Sequence, residues 1–267
     1  MLRKLLPLVA LAGALALPIA GCGSDTVDGL DPSAAVAQAA DRTAAVEGMH
    51  LQMTVEVGGQ RVRGEGFVDP VKQQGHITMT IPGAGDIETV TDKLKIYMKL
   101  PDALLSNVDL PDGKAWIAID LQKALEGQGV DLSSFMGGGA TDPGAQLRQL
   151  KAMGDVDEVG AEDVGGVATT HYAGTVDLHK AGDVVRAAQR DAARRSAEKL
   201  IELNGGKAQI PTELWIDDDG HVRRMKQTTP TPEGEVTSTI EFTDFGGTEA
   251  IEVPPADETY DISDEIS

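Results

Sequence analysis

Few side chains in these 267 residues have the type and spacing to do chemistry. Cys22 is the only thiol, and it stands directly behind an apolar run. His50, His76, His171, His179 and His221 are scattered, with none of the spacing of a metal centre. Asp217-Asp218-Asp219-Gly220 gathers oxygen ligands of the kind calcium prefers, but the spacing and distal glutamate of an EF-hand are missing. A hairpin turn accounts for that run. Acidic neighbours at Asp155 to Glu158 and at Glu162-Asp163 mimic a catalytic pair, as chance alone produces in a chain with 43 acidic residues. There is no G-x-S-x-G, no H-E-x-x-H and no Walker loop. Gly137 to Gly139 fall short of a dinucleotide fingerprint, because Asp142 holds the third glycine's place. The reading is a non-enzyme with no catalytic residue, no metal site and no cofactor, in which Cys22 is the one reactive group.

What precedes Cys22 explains it. Arg3 and Lys4 form a basic start, Leu5 to Ala20 are almost wholly apolar, and Pro7 and Pro18 interrupt that run. A permanent span needs roughly 20 apolar residues, so a removable export signal over residues 1–21 fits better. Ile19-Ala20-Gly21-Cys22 resembles the lipobox of bacterial lipoproteins. The resemblance implies a diacylglyceryl group on the sulfur, cleavage before Cys22, and a new amino group open to acylation. Only a thiolate offers so good a sulfur nucleophile near neutral pH. Two acyl chains, at about 0.8 kcal/mol per buried methylene, hold a protein stably on a membrane. The expected place is therefore the outer face of the cell membrane, with Cys22 as the lipid anchor.

Composition narrows the partners. With Cys22 lipidated no disulfide can form, so a hydrophobic core must supply the stability. A formal charge of −20 repels nucleic acid and anionic headgroups. Aromatics make up 3% of the chain, too few for platforms on which single strands stack. No nucleic-acid partner is expected.

Beyond the thiol, the chain reads as elements that shape a surface. Residues 22–32 are small and polar, a flexible tether. Asp31-Pro32 starts a helix that carries Val36, Ala39, Ala40, Thr43 and Val46 at helical spacing up to Gly48. Met49, Leu51, Met53, Val55 and Val57 then alternate with polar residues, as in a strand with one wet face. Gly58-Gly59 turns the chain into two more strands, and Ile77, Met79 and Ile81 share one side of the second. Gly64 and Gly66, two apart on one face, point to a bend or a close approach. Strand pattern continues through "IETVTDKLKIYMKL" and "KAWIAIDL". Residues 121–154 read as a Gly-rich excursion with short helices near Gln122 to Glu126 and Ala145 to Met153. Strand character returns in "VATTHYAGTVDL", followed by a long helix from about Ala181 to Leu203, a hairpin at Asp218 to Gly220, and a strand carrying Val236, Ser238, Ile240 and Phe242. Residues 33–255 form one domain, and 256–267 an acidic, loosely ordered tail. The class is α+β, an antiparallel sheet with helices on one face.

The Ala-rich opening helix, the strand from Met49, "WIAIDL", "PTELWIDDDGHVRRM" and the closing "TIEFTDFG" together resemble the LppX/LprG family of actinobacterial lipoproteins, whose fold is LolA/LolB-like. The resemblance spans roughly residues 33 to 255. It implies a strongly curved antiparallel β-sheet, a half barrel, with helices covering its concave face, and a space there in which several members hold acyl chains. It transfers no individual residue.

The candidate wall of that space comes from alternation in this chain: Leu51, Met53, Val55, Ile77, Met79, Ile96 and Met98. Flexible thioethers among them suit an irregular apolar guest, although the same residues would equally fill a core. Two functions stay open. One is an anchored protein that binds and carries lipid, glycolipid or lipidated molecules. The other is an envelope sensor or regulator whose partner is a protein, met through the stripe Arg186, Arg190 and Arg194 or the Gly-rich segment. A solvated helix face paired with Asp183, Asp191 and Glu198 explains the stripe as well.

Overall fold

The computed structural model describes residues 30–105, 110–126, 150, 153–183, 190–203, 205–231 and 234–263. Cys22, the export signal, most of the tether, the Gly-rich segment and Arg186 lie outside them.

Helix α1, Pro32–Ala44, begins where the sequence places it. The Asp31 side chain caps it by accepting from the Ser33 N–H at 3.0 Å. Its small face, Ala35, Val36, Ala39, Ala40 and Thr43, is buried. Small residues let the helix lie close to the sheet, chiefly on β7, β9 and β10, whose ranges follow. The Thr43 hydroxyl fixes its end, donating to the Ala39 carbonyl at 2.8 Å and accepting from the Val222 N–H at 2.9 Å.

The strands are β1 (Met49–Val57), β2 (Gln60–Asp69), β3 (Gln74–Ile81), β4 (Gly85–Asp92), β5 (Lys95–Lys99), β6 (Trp116–Asp120), β7 (Met153–Val164), β8 (Val167–Asp177), β9 (Gln209–Asp217), β10 (Val222–Thr231), β11 (Gly234–Thr243) and β12 (Thr259–Asp261). They form one unclosed sheet in the order β12-β6-β5-β4-β3-β2-β1-β11-β10-β9-β8-β7. All neighbours are antiparallel except β12 and β6. Short helices α2 (Asp102–Leu105) and α3 (Leu121–Glu126) flank β6, and α4 (Arg190–Leu203) packs on a 3-10 helix, Leu178–Asp183.

The structure differs from the sequence reading in several places, among them strand β7, which the sequence does not suggest. The single strand-like stretch over residues 87–100 is a hairpin, β4 and β5, turned at Lys93 with φ of 56°. The helix expected from Ala181 starts as the 3-10 turn, and its described α-helical part begins at Arg190. The stretch taken as a loose tail contributes β12. Residues 244–258 run from mid-sheet β11 to the far edge, where the Ala115 and Trp116 N–H groups donate to the Glu258 carbonyl at 2.9 and 3.1 Å. Lys95 pairs with Asp261 at 2.7 Å, and the Ser263 hydroxyl accepts from the Asp120 N–H at 2.7 Å. On the way, Ile251 packs on Val90, Tyr97 and Ala118.

Candidate functional site

Residues directly opposite each other in an antiparallel pair project to the same face of the sheet. Leu51 stands opposite Gly66, which stands opposite Ile77, and Met53 is related in the same way to Gly64 and Met79. Ile77 leads through Thr89 to Met98, and Ile96 sits opposite Thr91 on that side. Val55 shares the face with Leu51 and Met53 by the period of β1. All seven residues picked from the sequence thus lie on one face.

Gly64 and Gly66 shape that face. A Cβ added to Gly66 on this side would stand 2.1 Å from the His76 carbonyl oxygen and 2.8 Å from the Ile77 Cα. Backbone of β3 therefore leans over β2 here, and the face they share is the inside of the curve. At Gly64 the nearest atom is the Met79 Cγ, 3.1 Å from a built Cβ. The two missing side chains allow the bend and leave room for Met79.

Away from the edge strand β7, the concave face is also free of charge. In β1 to β6 and β8 to β11, none of its positions is Asp, Glu, Lys, Arg or His. Apart from Glu158 and Asp163 of β7, opposite Tyr172 and Ala168, the charged groups of the sheet stand on the outer side. There, Trp215 stacks on His171 with centroids 4.2 Å apart and lies under the Arg224 guanidinium. The Trp215 indole N–H donates to Glu162 at 2.7 Å. Glu213 meets His171 at 3.1 Å and Lys226 at 2.8 Å. Burial would raise the Glu213 carboxyl, but these two partners outweigh it and hold it below its ordinary value.

Burial divides the candidate wall. Leu51, Ile77 and Ile96 are buried, and the first two belong to the core formed with α1, Leu214, Met225, Ile240 and Phe242. Met53 and Met79 are partly buried at the edge of that core, and Val55 and Met98 are also partly exposed. The sequence reading left out Ile240 and Phe242, opposite Met53 and Leu51, and Ile87, opposite Met79. The alternation Val236-Ser238-Ile240-Phe242 carried that signal for the first two.

The other features flagged in the sequence form surface structure. At the β9–β10 turn, Asp217, Asp219 and His221 bring ligand atoms within 4.8 Å of one another. The Asp217 carboxylate is engaged there by the His221 N–H at 2.7 Å and by Arg223 at 2.5 Å. The Gly220 N–H donates to the Asp217 carbonyl at 2.9 Å, which closes the hairpin. Arg190, Arg194 and Arg195 of α4 are exposed. His50 meets Glu249 at 3.1 Å on the outer face.

No family model matches the chain. An uncharacterized 31.2 kDa protein of Streptomyces griseus, from the rplA-rplJ intergenic region, is 28% identical over 251 residues, covering 87% of this chain and 80% of that one. A candidate lipoprotein of Streptomyces coelicolor is 25% identical over 201 residues, covering 71% of this chain and 60% of that one. The crystal structure of the Mycobacterium tuberculosis lipoprotein LppX superposes with a TM-score of 0.52 at 14% identity, over 82% of this chain and 97% of LppX. The chain has the LppX/LprG-type fold. In that fold the sheet is large, mostly antiparallel, curved and unclosed, as the β12 and β7 edges show here. The unmatched family models and the low identities mean that shape, rather than any short motif, carries the likeness.

Proposed function

We propose that the protein is a membrane-anchored extracytoplasmic lipoprotein that binds and carries lipid or lipidated molecules against the concave face of its sheet, held on the outer face of the membrane through lipidated Cys22. The observation that carries this reading is the absence of charge on the concave face of β1 to β6 and β8 to β11, where Met53, Val55, Met79 and Met98 remain partly exposed. Such a face offers an acyl chain dispersion and dehydration without an ionised group to desolvate. Ten buried methylenes are worth about 8 kcal/mol before the cost of immobilising the guest. Release then depends on a membrane or acceptor that shelters the chain equally well. The resemblance to lipoproteins supports the anchor, and the lipobox supplies its chemistry.

The test is to purify wild-type, Met53→Trp and Met79→Trp protein from the organism that makes it and to quantify extracted lipid by mass spectrometry. Indole at either position would cover the part of β2 that Gly64 and Gly66 leave without side chains, so both variants should carry several-fold less lipid at unchanged fold. Equal lipid in all three would remove the concave face from the account. Lipid-free wild-type protein that crosslinks in cells to one dominant protein would replace the carrier with a regulator.

A further inference from the structure

The concave face carries uncharged polar residues at several positions, Thr89, Thr91 and Thr229 among them, and at Gln227 and Ser238 they form a step beside the apolar bed. Gln227 of β10 is opposite Thr212 of β9 on one side and Ser238 of β11 on the other, and Ser238 is opposite Val55 of β1. The Gln227 amide donates to the Thr212 hydroxyl at 3.3 Å, and that hydroxyl donates onward to the Ile210 carbonyl at 3.1 Å. Thr212 is buried and committed. Gln227 keeps its amide oxygen and a second N–H, and the Ser238 hydroxyl makes no hydrogen bond within the described residues. Both residues are partly exposed. Both groups are open to water in the free protein, and beneath a bound chain they would lose it at a cost that a polar guest atom next to Met53 offsets.

We infer that Gln227 and Ser238 form a hydrogen-bonding subsite for the uncharged linkage of a bound acyl chain, an ester or amide carbonyl. This rests on the proposed carrier function and deepens it. A carbonyl oxygen accepts from the Ser238 O–H and the Gln227 N–H together. The attached hydrocarbon then crosses β1 and β2 toward Met79, three strand spacings from β11, or about 14 Å. An ionised headgroup finds no counter-charge on β1 to β6 or β8 to β11 and stays outside that part of the face. The pair fixes which part of the guest lies at β10 and β11, which apolar contacts alone leave free.

The experiment equilibrates the folded protein with an equimolar mixture of methyl palmitate and heptadecane, removes free probe by gel filtration, and measures the bound ratio by mass spectrometry. Wild type should favour the ester. Ser238→Ala and Gln227→Leu should each lower the ester-to-alkane ratio about 5- to 10-fold, the worth of one net hydrogen bond. Ser238→Thr keeps the hydroxyl and should keep the ratio, which a merely structural role would not require. Both probes retained with a ratio unmoved by Ser238→Ala and Gln227→Leu would overturn the subsite and leave the carrier reading intact. Wild-type protein that retains neither probe would overturn both.

Discussion

Gly66 marks a close approach of the β3 backbone to β2, and replacing it with alanine is a sharp test of what allows the bend. The added Cβ would stand 2.1 Å from the His76 carbonyl oxygen, where ordinary contact begins near 3.4 Å. Strand β3 must therefore retreat by more than 1 Å, and because the obstacle is backbone, no rotamer change relieves it. Overpacking of this kind costs about 3 kcal/mol at the upper end of its range. Alanine returns about 0.4–1 kcal/mol by restricting the unfolded chain, leaving a net loss of about 2 kcal/mol. With a urea dependence of about 3 kcal/mol per molar, the midpoint falls by roughly 0.7 M. Gly64→Ala is the control: its Cβ meets the flexible Met79 Cγ at 3.1 Å and the Thr78 carbonyl oxygen at 3.3 Å, contacts that shifts of a few tenths of an ångström relieve, and its midpoint should move by less than about 0.2 M. Retained lipid should fall in Gly66→Ala, because a flatter sheet opens the concave face to water. A Gly66→Ala protein with wild-type midpoint and wild-type lipid would refute the assignment of the bend to this residue.

Three further outcomes follow from the same contacts. Thr43→Val removes the acceptor of the buried Val222 N–H and should cost about 1–3 kcal/mol, read by urea unfolding. At the sheet edge, burial would raise the Asp261 carboxyl, but hydrogen bonds from Lys95 and Ser263 hold it down at about 2. Its stabilisation is therefore full above the ordinary carboxylate range and is lost as pH falls from about 4 to 2, amounting to about 1 kcal/mol after solvent screening. Asp261→Asn should melt below wild type at pH 7, with the difference vanishing near pH 2. A gap that persists there would show that the lost ion pair is not its cause. Cys22→Ser should move the protein from the detergent phase to the aqueous phase in a phase-separation assay, and unchanged partition would dismiss the anchor.

What the sequence revealed depended on how local its signal was. Met49 to Val57 alternate without a break, and Gly64 and Gly66 repeat at the strand period, so the concave face was legible along β1 to β3. Strand β7 was not: its stretch from Met153 to Val164 is crowded with Asp155, Asp157, Glu158, Glu162 and Asp163, and register shifts interrupt its alternation. Such charges suit the exposed edge of a sheet, where they discourage a further strand from pairing, but they erase the hydrophobic pattern. Strand β12 was hidden for a different reason. Three residues, Thr259 to Asp261, carry no periodicity, and their partner strand lies far back in the chain at Trp116 to Ala118. The polar step at Gln227 and Ser238 became visible only when the register placed β10 beside β11 and β11 beside β1.

Occupation of the concave face by an acyl guest can be measured directly. The most direct measurement is mass spectrometry of an organic extract from wild-type protein purified from its own organism, scaled to protein. About one lipid per chain, displaced by Met53→Trp, is the predicted result. An extract without lipid, from folded protein that also fails to take up methyl palmitate, would contradict it.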